Sequence, residues 1–320
     1  MLSWAQQNPR EEIDQKRQGL WYFDKKALDM YREFLRIDST YYVGWLFEGS
    51  AKYYRSQDAL GYASAIKPLL KAKAKIYKSE KEKLKVRTQD VREYISVYQA
   101  QQDYCMIMYL LYQCYMNIEE QQKAFEVLIE LKKQRLQKYF FIEPYNSMSW
   151  IMHRVRTFSK EQFPYSAGDI ENNELKALRF IDTSMFMARK YYNWNTSIFS
   201  ADYVNQDFYF NYHNKALVYN YIYELDSAEF YYKLLKETPF FSNNNYAYFS
   251  MTKADFKEAE KNYLIEKKQH SPSDKSTKEY NYMLSIINTY KGRPDGDLEE
   301  LIQYTRNMSS LPGSVGTILL

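Results

Sequence analysis

The sequence predicts an all-α protein, and its composition supplies the first reasons. Gly and Pro, at 9 and 8 residues in a chain of 320, are too scarce for the many tight turns of an all-β fold. Long stretches rich in Lys, Glu, Gln and Leu favour helices instead. Apolar residues make up 45% of the chain, which is enough to bury a core. The length fits about two globular domains or one extended array of helices.

A recurring spacing of small and large residues indicates that the helices come in pairs. Three segments share an Ala early in a helix with large residues four and seven positions later. They are Ala27, Tyr31 and Phe34, then Ala124, Leu128 and Leu131, and then Ala228, Tyr232 and Leu235. The segment Asp255–Leu264 repeats the step from Ala259 to Tyr263. Positions i, i+4 and i+7 share one face of a helix, so each segment presents a packing face.

This spacing resembles the tetratricopeptide repeat (TPR), a helix–turn–helix unit of roughly 34 residues, over about two thirds of the chain. In that family, small residues let two helices approach closely and large residues fill the gap to the next repeat. The resemblance implies an α-solenoid of TPR-like helix-turn-helix repeats that winds into a right-handed superhelix. It assigns the packing positions to Trp45, Gly49, Tyr115, Ala124, Tyr219, Ala228, Tyr232, Ala259 and Tyr263.

The sequence divides into three parts along the chain. Residues 1–142 hold N-terminal TPR-like repeats and include a basic segment at 67–87. Residues 143–174 hold a helix, expected at 146–158, and a connecting loop. Residues 175–320 hold C-terminal TPR-like repeats. The apolar end Leu311–Leu320 lacks the polar outer face of a terminal repeat, and this favours a chain truncated at its C-terminus.

The resemblance also implies a peptide-binding groove on the concave face. The positions that would line it are Phe210, His213, Asn214, Leu217, Asn220, Phe241, Asn244, Asn245, Tyr248 and Met251. Asn side chains there could bond a peptide backbone, and aromatic rings could supply anchors. An alternative assigns Ser242–Asn245 to a helix N-cap. His213 and Asn244 stand where peptide-carboxylate clamps of this family have Lys, so binding of a peptide C-terminus is not favoured.

Charge is unevenly distributed, with a net charge of +8 in residues 1–160 and −4 in residues 161–320. The basic segment contains nine basic and two acidic residues, and it predicts a candidate anion patch at Lys71, Lys73, Lys75 and Lys78. Polyanion or RNA binding through this segment is one alternative function. Tyr77 is the one aromatic residue among these charges, so nucleic acid is not the favoured partner and a solvated helix face is the simpler interpretation.

The sequence offers no recognisable catalytic or metal site. Cys105 and Cys114 are nine residues apart on one helix and point to opposite faces, which predicts two buried free thiols. His153, His213 and His270 lie far apart, without a further ligand at metal-binding spacing. No phosphate-binding loop or hydrolase motif occurs. We therefore expect no enzyme activity and no cofactor.

The termini bear on localisation. No apolar run reaches the roughly 18–20 residues that span a bilayer, so no transmembrane segment is expected. Met1–Gln7 resembles the last residues of a secretory signal, with a small residue before a polar start. If it is the remnant of a signal peptide, the protein is exported to the periplasm or cell surface. Otherwise it is cytoplasmic.

These observations favour a non-catalytic scaffold that binds a protein or peptide on the concave face of a TPR solenoid. A second hypothesis is the sensor region of a bacterial signalling protein whose membrane and output parts lie beyond Leu320. The third is the polyanion or RNA binder described above. The identity of the partner and the oligomeric state stay open at the level of sequence.

Overall fold

A computed structural model describes residues 8–20, 25–86, 95–133, 144–193, 201–269 and 275–290. Within these ranges all regular structure is helical, which confirms the predicted all-α class. In chain order the helices are α1 (Pro9–Lys16), α2 (Lys25–Ile37), α3 (Tyr42–Arg55), α4 (Ala59–Ser79), α5 (Lys81–Lys85), α6 (Ile95–Asn117), α7 (Gln121–Lys133), α8 (Pro144–Arg154), α9 (Ile170–Lys190), α10 (Ala201–Tyr221), α11 (Leu225–Leu235), α12 (Asn243–Thr252), α13 (Phe256–Gln269) and α14 (Lys275–Tyr290).

The chain forms two compact units. Unit 1 comprises Met1–Met148 and Phe186–Val204, and unit 2 comprises Ser149–Met185 and Asn205–Leu320. The units interleave along the sequence, whereas the three predicted segments follow chain order. Predictions at Met1–Gln7, His270 and Leu311–Leu320 lie outside the described residues.

Glycines set the distance between helices in unit 1, where α3 packs against both α2 and α4. A Cβ atom added at Gly49 would lie 2.5 Å from Cδ2 of Leu69 on α4. One added at Gly44 would lie 2.8 Å from Cδ2 of Leu35 on α2. Both distances are well inside normal carbon contact, so only glycine allows these helices to approach so closely. Farther along the chain, α4 packs against α6, and α6 against α7.

The same type of turn joins the helices of three pairs, which are α6–α7, α10–α11 and α12–α13. Each turn has a non-glycine residue with positive φ, namely Glu119 (62°), Tyr223 (59°) and Ala254 (59°). The N–H of the next, acidic residue donates to a carbonyl five positions earlier, in the bonds Glu120 to Tyr115 (2.8 Å), Glu224 to Tyr219 (2.9 Å) and Asp255 to Ser250 (2.8 Å). This is the Schellman pattern, which satisfies the carbonyls at a helix end.

The same turn explains the spacing seen in the sequence. The Ala of each pair, at Ala124, Ala228 and Ala259, donates its N–H to the carbonyl of the acidic turn residue, at 3.0 Å in all three cases. Each Ala therefore lies in the first turn of the second helix, nine residues after the carbonyl that closes the first. All three Ala side chains are fully buried. The third pair has Ser250 where the others have Tyr.

Unit 2 buries its apolar residues between consecutive helices. One cluster joins Ala216 of α10 to Ala228 and Tyr232 of α11 and to Phe249 of α12. A second cluster joins α12, α13 and α14 through Ala247, Ala259, Tyr263, Met283 and Ile287. In both clusters an Ala lies beside a buried Tyr, so a small residue and a large residue share each helix contact.

Two predicted boundaries shift in the structure. The helix expected at 146–158 is α8, which begins at Pro144 and ends at Arg154. Helix α9 begins at Ile170, inside the predicted connecting loop, because the Asp169 side chain accepts the N–H of Asn172 at 2.9 Å. An Asp in that position caps the free N–H groups of a helix start.

Candidate functional site

A row of ring side chains crosses three helices of unit 2. Trp150 and His153 lie on α8, Tyr221 on α10 and Tyr248 on α12. Neighbouring ring centroids are 6.2 Å apart from Trp150 to His153, 4.8 Å from His153 to Tyr221 and 5.9 Å from Tyr221 to Tyr248. Trp150 is 40% exposed, and both tyrosines are half-buried. We call these four residues the aromatic row.

A buried ionic cluster contacts two members of the aromatic row, His153 and Tyr221. The His153 Nδ1 atom lies 2.7 Å from the Glu174 Oε1 atom, and the Arg156 Nε atom lies 3.7 Å from the same oxygen. Glu174 is fully buried. The Arg156 guanidinium also stacks on Tyr221, with Cζ 4.2 Å from the ring centroid. Contacts from a buried carboxylate and a stacked cation fix the orientation of both rings that they touch.

Asn173 holds the segment that carries Arg156. Its Nδ2 atom donates to the Arg156 carbonyl at 2.9 Å, and its Oδ1 atom accepts the N–H of Ala167 at 2.6 Å. The Asn173 side chain also bonds the hydroxyl of Ser166. Asn173 is fully buried, so these bonds form in a low-dielectric surrounding where they are strong. The loop before α9 is thereby tied to the first turn of that helix.

His213 joins α10 to α12. The Asn245 Nδ2 atom lies 3.1 Å from His213 Nε2, in the geometry of an amide that donates to a neutral imidazole. Burial lowers the pKa of His213 below its usual value, and His153 adds to this effect, although a hydrogen bond to the Phe240 backbone opposes it. Neutral His213 therefore accepts from Asn245 at neutral pH.

Six of the ten predicted groove positions fall into three groups. His213 and Asn245 bond each other, and Tyr248 belongs to the aromatic row. Phe241 and Met251 pack against the two core clusters of unit 2. Phe210 is 48% exposed and meets Phe240 edge to face at 4.7 Å.

Four groove positions remain. Asn214 is half-buried, Leu217 is buried, and Asn244 is exposed with its N–H donating to Glu266. Asn220 is 2% exposed, and its amide atoms find no hydrogen-bond partner in the described part of the chain. The N-cap alternative for Ser242–Asn245 is also present, because Ser242 Oγ accepts the N–H of Asn245 at 3.2 Å.

The predicted anion patch is largely engaged by the protein itself. Lys73 pairs with Glu130 at 2.5 Å, and the Lys71 ammonium lies 3.9 Å from the centre of the Trp45 ring. Lys75 donates to the Thr40 carbonyl at 3.4 Å. Lys78 is exposed. Lys73 also lies off the α4 face that carries the other three, because positions i, i+4 and i+7 exclude it.

The predicted packing positions are mostly interior. Tyr232 and Tyr263 are 1% and 2% exposed, and Gly49 is buried against α4. Tyr115 and Tyr219 are half-buried. Trp45 is half-buried as well, with its Nε1 atom donating to the Ser39 carbonyl at 2.8 Å. Cys105 and Cys114 are buried free thiols, as predicted, and burial raises the pKa of Cys114 to about 12.

Sequence reasoning missed the ionic cluster and every member of the aromatic row except Tyr248. The sequence indicates a helix over this segment, and from sequence His153 is considered only as a metal ligand. Glu174 contacts His153 across 21 residues, a separation that no helical spacing reveals. The only local signal was the i, i+3 spacing of Trp150 and His153, which places both on one helix face.

Comparison with known proteins returns no match to a protein-family model, a curated protein or a solved structure. Among the described residues, no helix is both long enough and apolar enough to cross a membrane. The same residues contain no group of three or more His, Cys, Asp or Glu side chains that could hold a metal ion.

Proposed function

We propose that this protein is a non-catalytic scaffold, a TPR-like solenoid that binds a peptide segment of a partner protein. The aromatic row carries the proposal, because its rings contact one another from α8 through α10 to α12. Trp150 is 40% exposed at one end, both tyrosines are half-buried, and the buried His153 connects them. In this proposal the three helices line the concave face. Trp, Tyr and Arg are the residue types that most often dominate binding energy at protein interfaces.

Preorganisation supports the same function. The Glu174 carboxylate and the Arg156 guanidinium hold His153 and Tyr221 before any partner arrives. A surface that is already ordered loses less side-chain entropy on binding, so a few anchors are enough for useful affinity. The partner expected here is an extended peptide with apolar or aromatic anchor side chains.

A peptide display selection on the immobilised chain tests the proposal. Enriched peptides are then measured by fluorescence anisotropy against Trp150→Ala and against Phe230→Ala, a control that removes a 57% exposed ring from α11 of the same unit. We expect Trp150→Ala to cost about 2 kcal/mol or more of binding free energy and the control to cost little. Equal losses, or the absence of any enriched peptide, would contradict the proposal.

The two other hypotheses receive less support. Polyanion binding needs accessible cations, and three of the four predicted lysines already contact carboxylate, carbonyl or ring groups. The sensor-region hypothesis depends on sequence beyond Leu320 and stays a prediction.

A further inference from the structure

Unit 1 contains a cavity of about 430 Å³, separate from the aromatic row in unit 2. Its wall is formed by the end of α1, the start of α3, the residues around α5 and the start of α6. The lining residues are Asp14, Arg17, Gln18, Gly19, Leu20, Tyr41, Tyr42, Phe47, Glu80, Lys83, Gln99 and Ala100. The volume lies in the range of small-molecule sites, roughly 300–1,000 Å³.

Arg17 supplies a positive group with an unused donor. Its side chain is 10% exposed, its Nε atom lies 3.0 Å from Asp14 Oδ1, and its Nη1 atom lies 2.7 Å from Asp103 Oδ2. No acceptor for the Nη2 atom occurs among the described residues. A guanidinium carries five N–H donors, so this one keeps donors for a ligand.

Glu80 supplies the opposite charge with an unused acceptor. Its side chain is 10% exposed, and its Oε2 atom lies 2.7 Å from the Lys83 ammonium. In the described part of the chain no donor meets its Oε1 atom. A buried carboxylate without a full set of donors is costly, and a ligand ammonium group would lower that cost.

Asp103 fixes the basic side of the cavity. It is fully buried and accepts from three side chains, Arg17 (2.7 Å), Tyr42 (2.5 Å) and Gln99 (2.9 Å). Burial, and then the nearby Asp103 carboxylate, raise the pKa of Tyr42 well above its usual value, so the hydroxyl stays a donor. The Arg17 guanidinium is therefore held in place before a ligand arrives.

The lining is balanced in charge and partly apolar. Among the lining residues Asp14 and Glu80 offset Arg17 and Lys83, and the buried Asp103 behind Arg17 adds one more negative charge. An isolated anion would therefore gain no net attraction from the wall. Leu20, Phe47 and the rings of Tyr41 and Tyr42 also line the cavity and provide apolar surface beside the charged groups. A ligand that carries both charges and an apolar side chain matches all of these features.

We propose that this cavity binds a zwitterion of the α-amino-acid class, a free amino acid or a dipeptide. The ligand carboxylate meets Arg17, the ligand ammonium group meets Glu80, and the apolar side chain rests on the tyrosine rings. This site does not depend on the peptide-binding surface proposed for unit 2.

The first test uses the unaltered chain. Thermal-shift measurements with each common amino acid and with glycyl dipeptides identify the best ligand. Calorimetry then compares that ligand with its amide, which lacks the carboxylate, and with its N-acetyl derivative, which lacks the ammonium group. We expect each blocked compound to bind about tenfold to a hundredfold more weakly. No stabilisation by any compound, or equal binding of the blocked compounds, overturns the proposal.

A pair of variants then locates the site. Glu80→Gln keeps the side-chain shape and removes the charge, while Glu82→Gln is the matched control, with a side chain 81% exposed on α5. We expect Glu80→Gln to weaken the intact ligand about tenfold or more and the control to have no effect. Equal effects of the two variants would place binding elsewhere and overturn the assignment. If Glu80→Gln is unstable, the comparison of the intact ligand with its amide and its N-acetyl derivative still tests the proposal on the unaltered chain.

Discussion

Unit 1 and unit 2 hold their helices together by different side-chain chemistry. In unit 1, Gly49 brings α3 against α4, and a fully buried Asp103 gathers Arg17 and Tyr42. In unit 2, an Ala and a buried Tyr meet at each helix contact, as in the cluster of Ala259 and Tyr263. Both units bury a carboxylate, Asp103 in unit 1 and Glu174 in unit 2, so the difference lies in how neighbouring helices touch. Glycine sets the close approach in unit 1 and Ala beside Tyr in unit 2, which predicts that the same kind of substitution will affect them differently.

The turns show what the units have in common. The α6–α7 pair of unit 1 has the same Schellman turn as the two pairs of unit 2, with positive φ at Glu119, Tyr223 and Ala254. The turn is local backbone chemistry, so it recurs whatever surrounds it. Substitutions in each unit test the difference between them.

The largest effect is expected from Ala259→Asp in unit 2. The side chain of Ala259 is fully buried between α12, α13 and α14, so the new carboxylate would lose water without gaining a partner. We expect the C-terminal helices to lose their cooperative unfolding transition in calorimetry. Lys257→Asp, at an exposed position on the same helix, is the control. An unchanged melting curve for Ala259→Asp would show that the helix register is wrong.

Asp103→Ala should be the most damaging single change to the buried ionic group of unit 1. It leaves the buried guanidinium of Arg17 with Asp14 alone as a carboxylate partner among the described residues, and it removes the acceptor of Tyr42 and Gln99. We expect a cost of about 3–5 kcal/mol in unfolding free energy. Urea denaturation measures this loss. The double variant Arg17→Met, Asp103→Leu should recover part of it, because the buried cation is gone. A double variant as unstable as Asp103→Ala would argue that packing, and not charge, holds this region.

Acid should weaken unit 2 through His213. Burial lowers its folded-state pKa, while the unfolded chain binds the proton near pH 6.5. Below about pH 6.5 the unfolded state therefore binds more protons than the folded state. The stability that depends on neutral His213 is complete above that pH and is lost as the pH falls. Melting temperatures between about pH 7.5 and pH 5 should drop less in His213→Gln than in the unaltered chain. Parallel curves would exclude His213 as the source.

Ala254→Gly should give a small gain in stability. Ala254 has a φ of 59°, a left-handed conformation that costs L-residues about 1–2 kcal/mol and costs Gly almost nothing. After the extra unfolded-state entropy of Gly, we expect a net stabilisation of about 0.5–1 kcal/mol in chemical denaturation. Ala247→Gly, inside α12 with normal helical geometry, should destabilise instead. A loss of stability in Ala254→Gly would count against the shared turn.

Much of the fold could be predicted because its signals are local. Ala124, Ala228 and Ala259 each follow the carbonyl that closes the preceding helix by the same nine residues, so their spacing is visible in the sequence. The structure places all three in the first turn of a helix. The helix boundary at Asp169 was missed because the sequence Phe163–Asn173 has the composition of a loop, and one capping carboxylate decided otherwise. The lysine patch stays a prediction, and the sequence gives its charges but not the partners that Lys71 and Lys73 find in the structure.

Sequence alone was enough to predict the all-helical class, the paired helices and the buried free thiols, because helix propensity and apolar spacing act over a few residues. Only the tertiary structure brought His153 to Glu174 and Arg17 to Asp103, pairs that are 21 and 86 residues apart. Such residues meet because distant helices pack against each other, and local sequence spacing does not predict which helices pack together. Both proposed binding sites rest on these long-range contacts, so the structure was needed to find them.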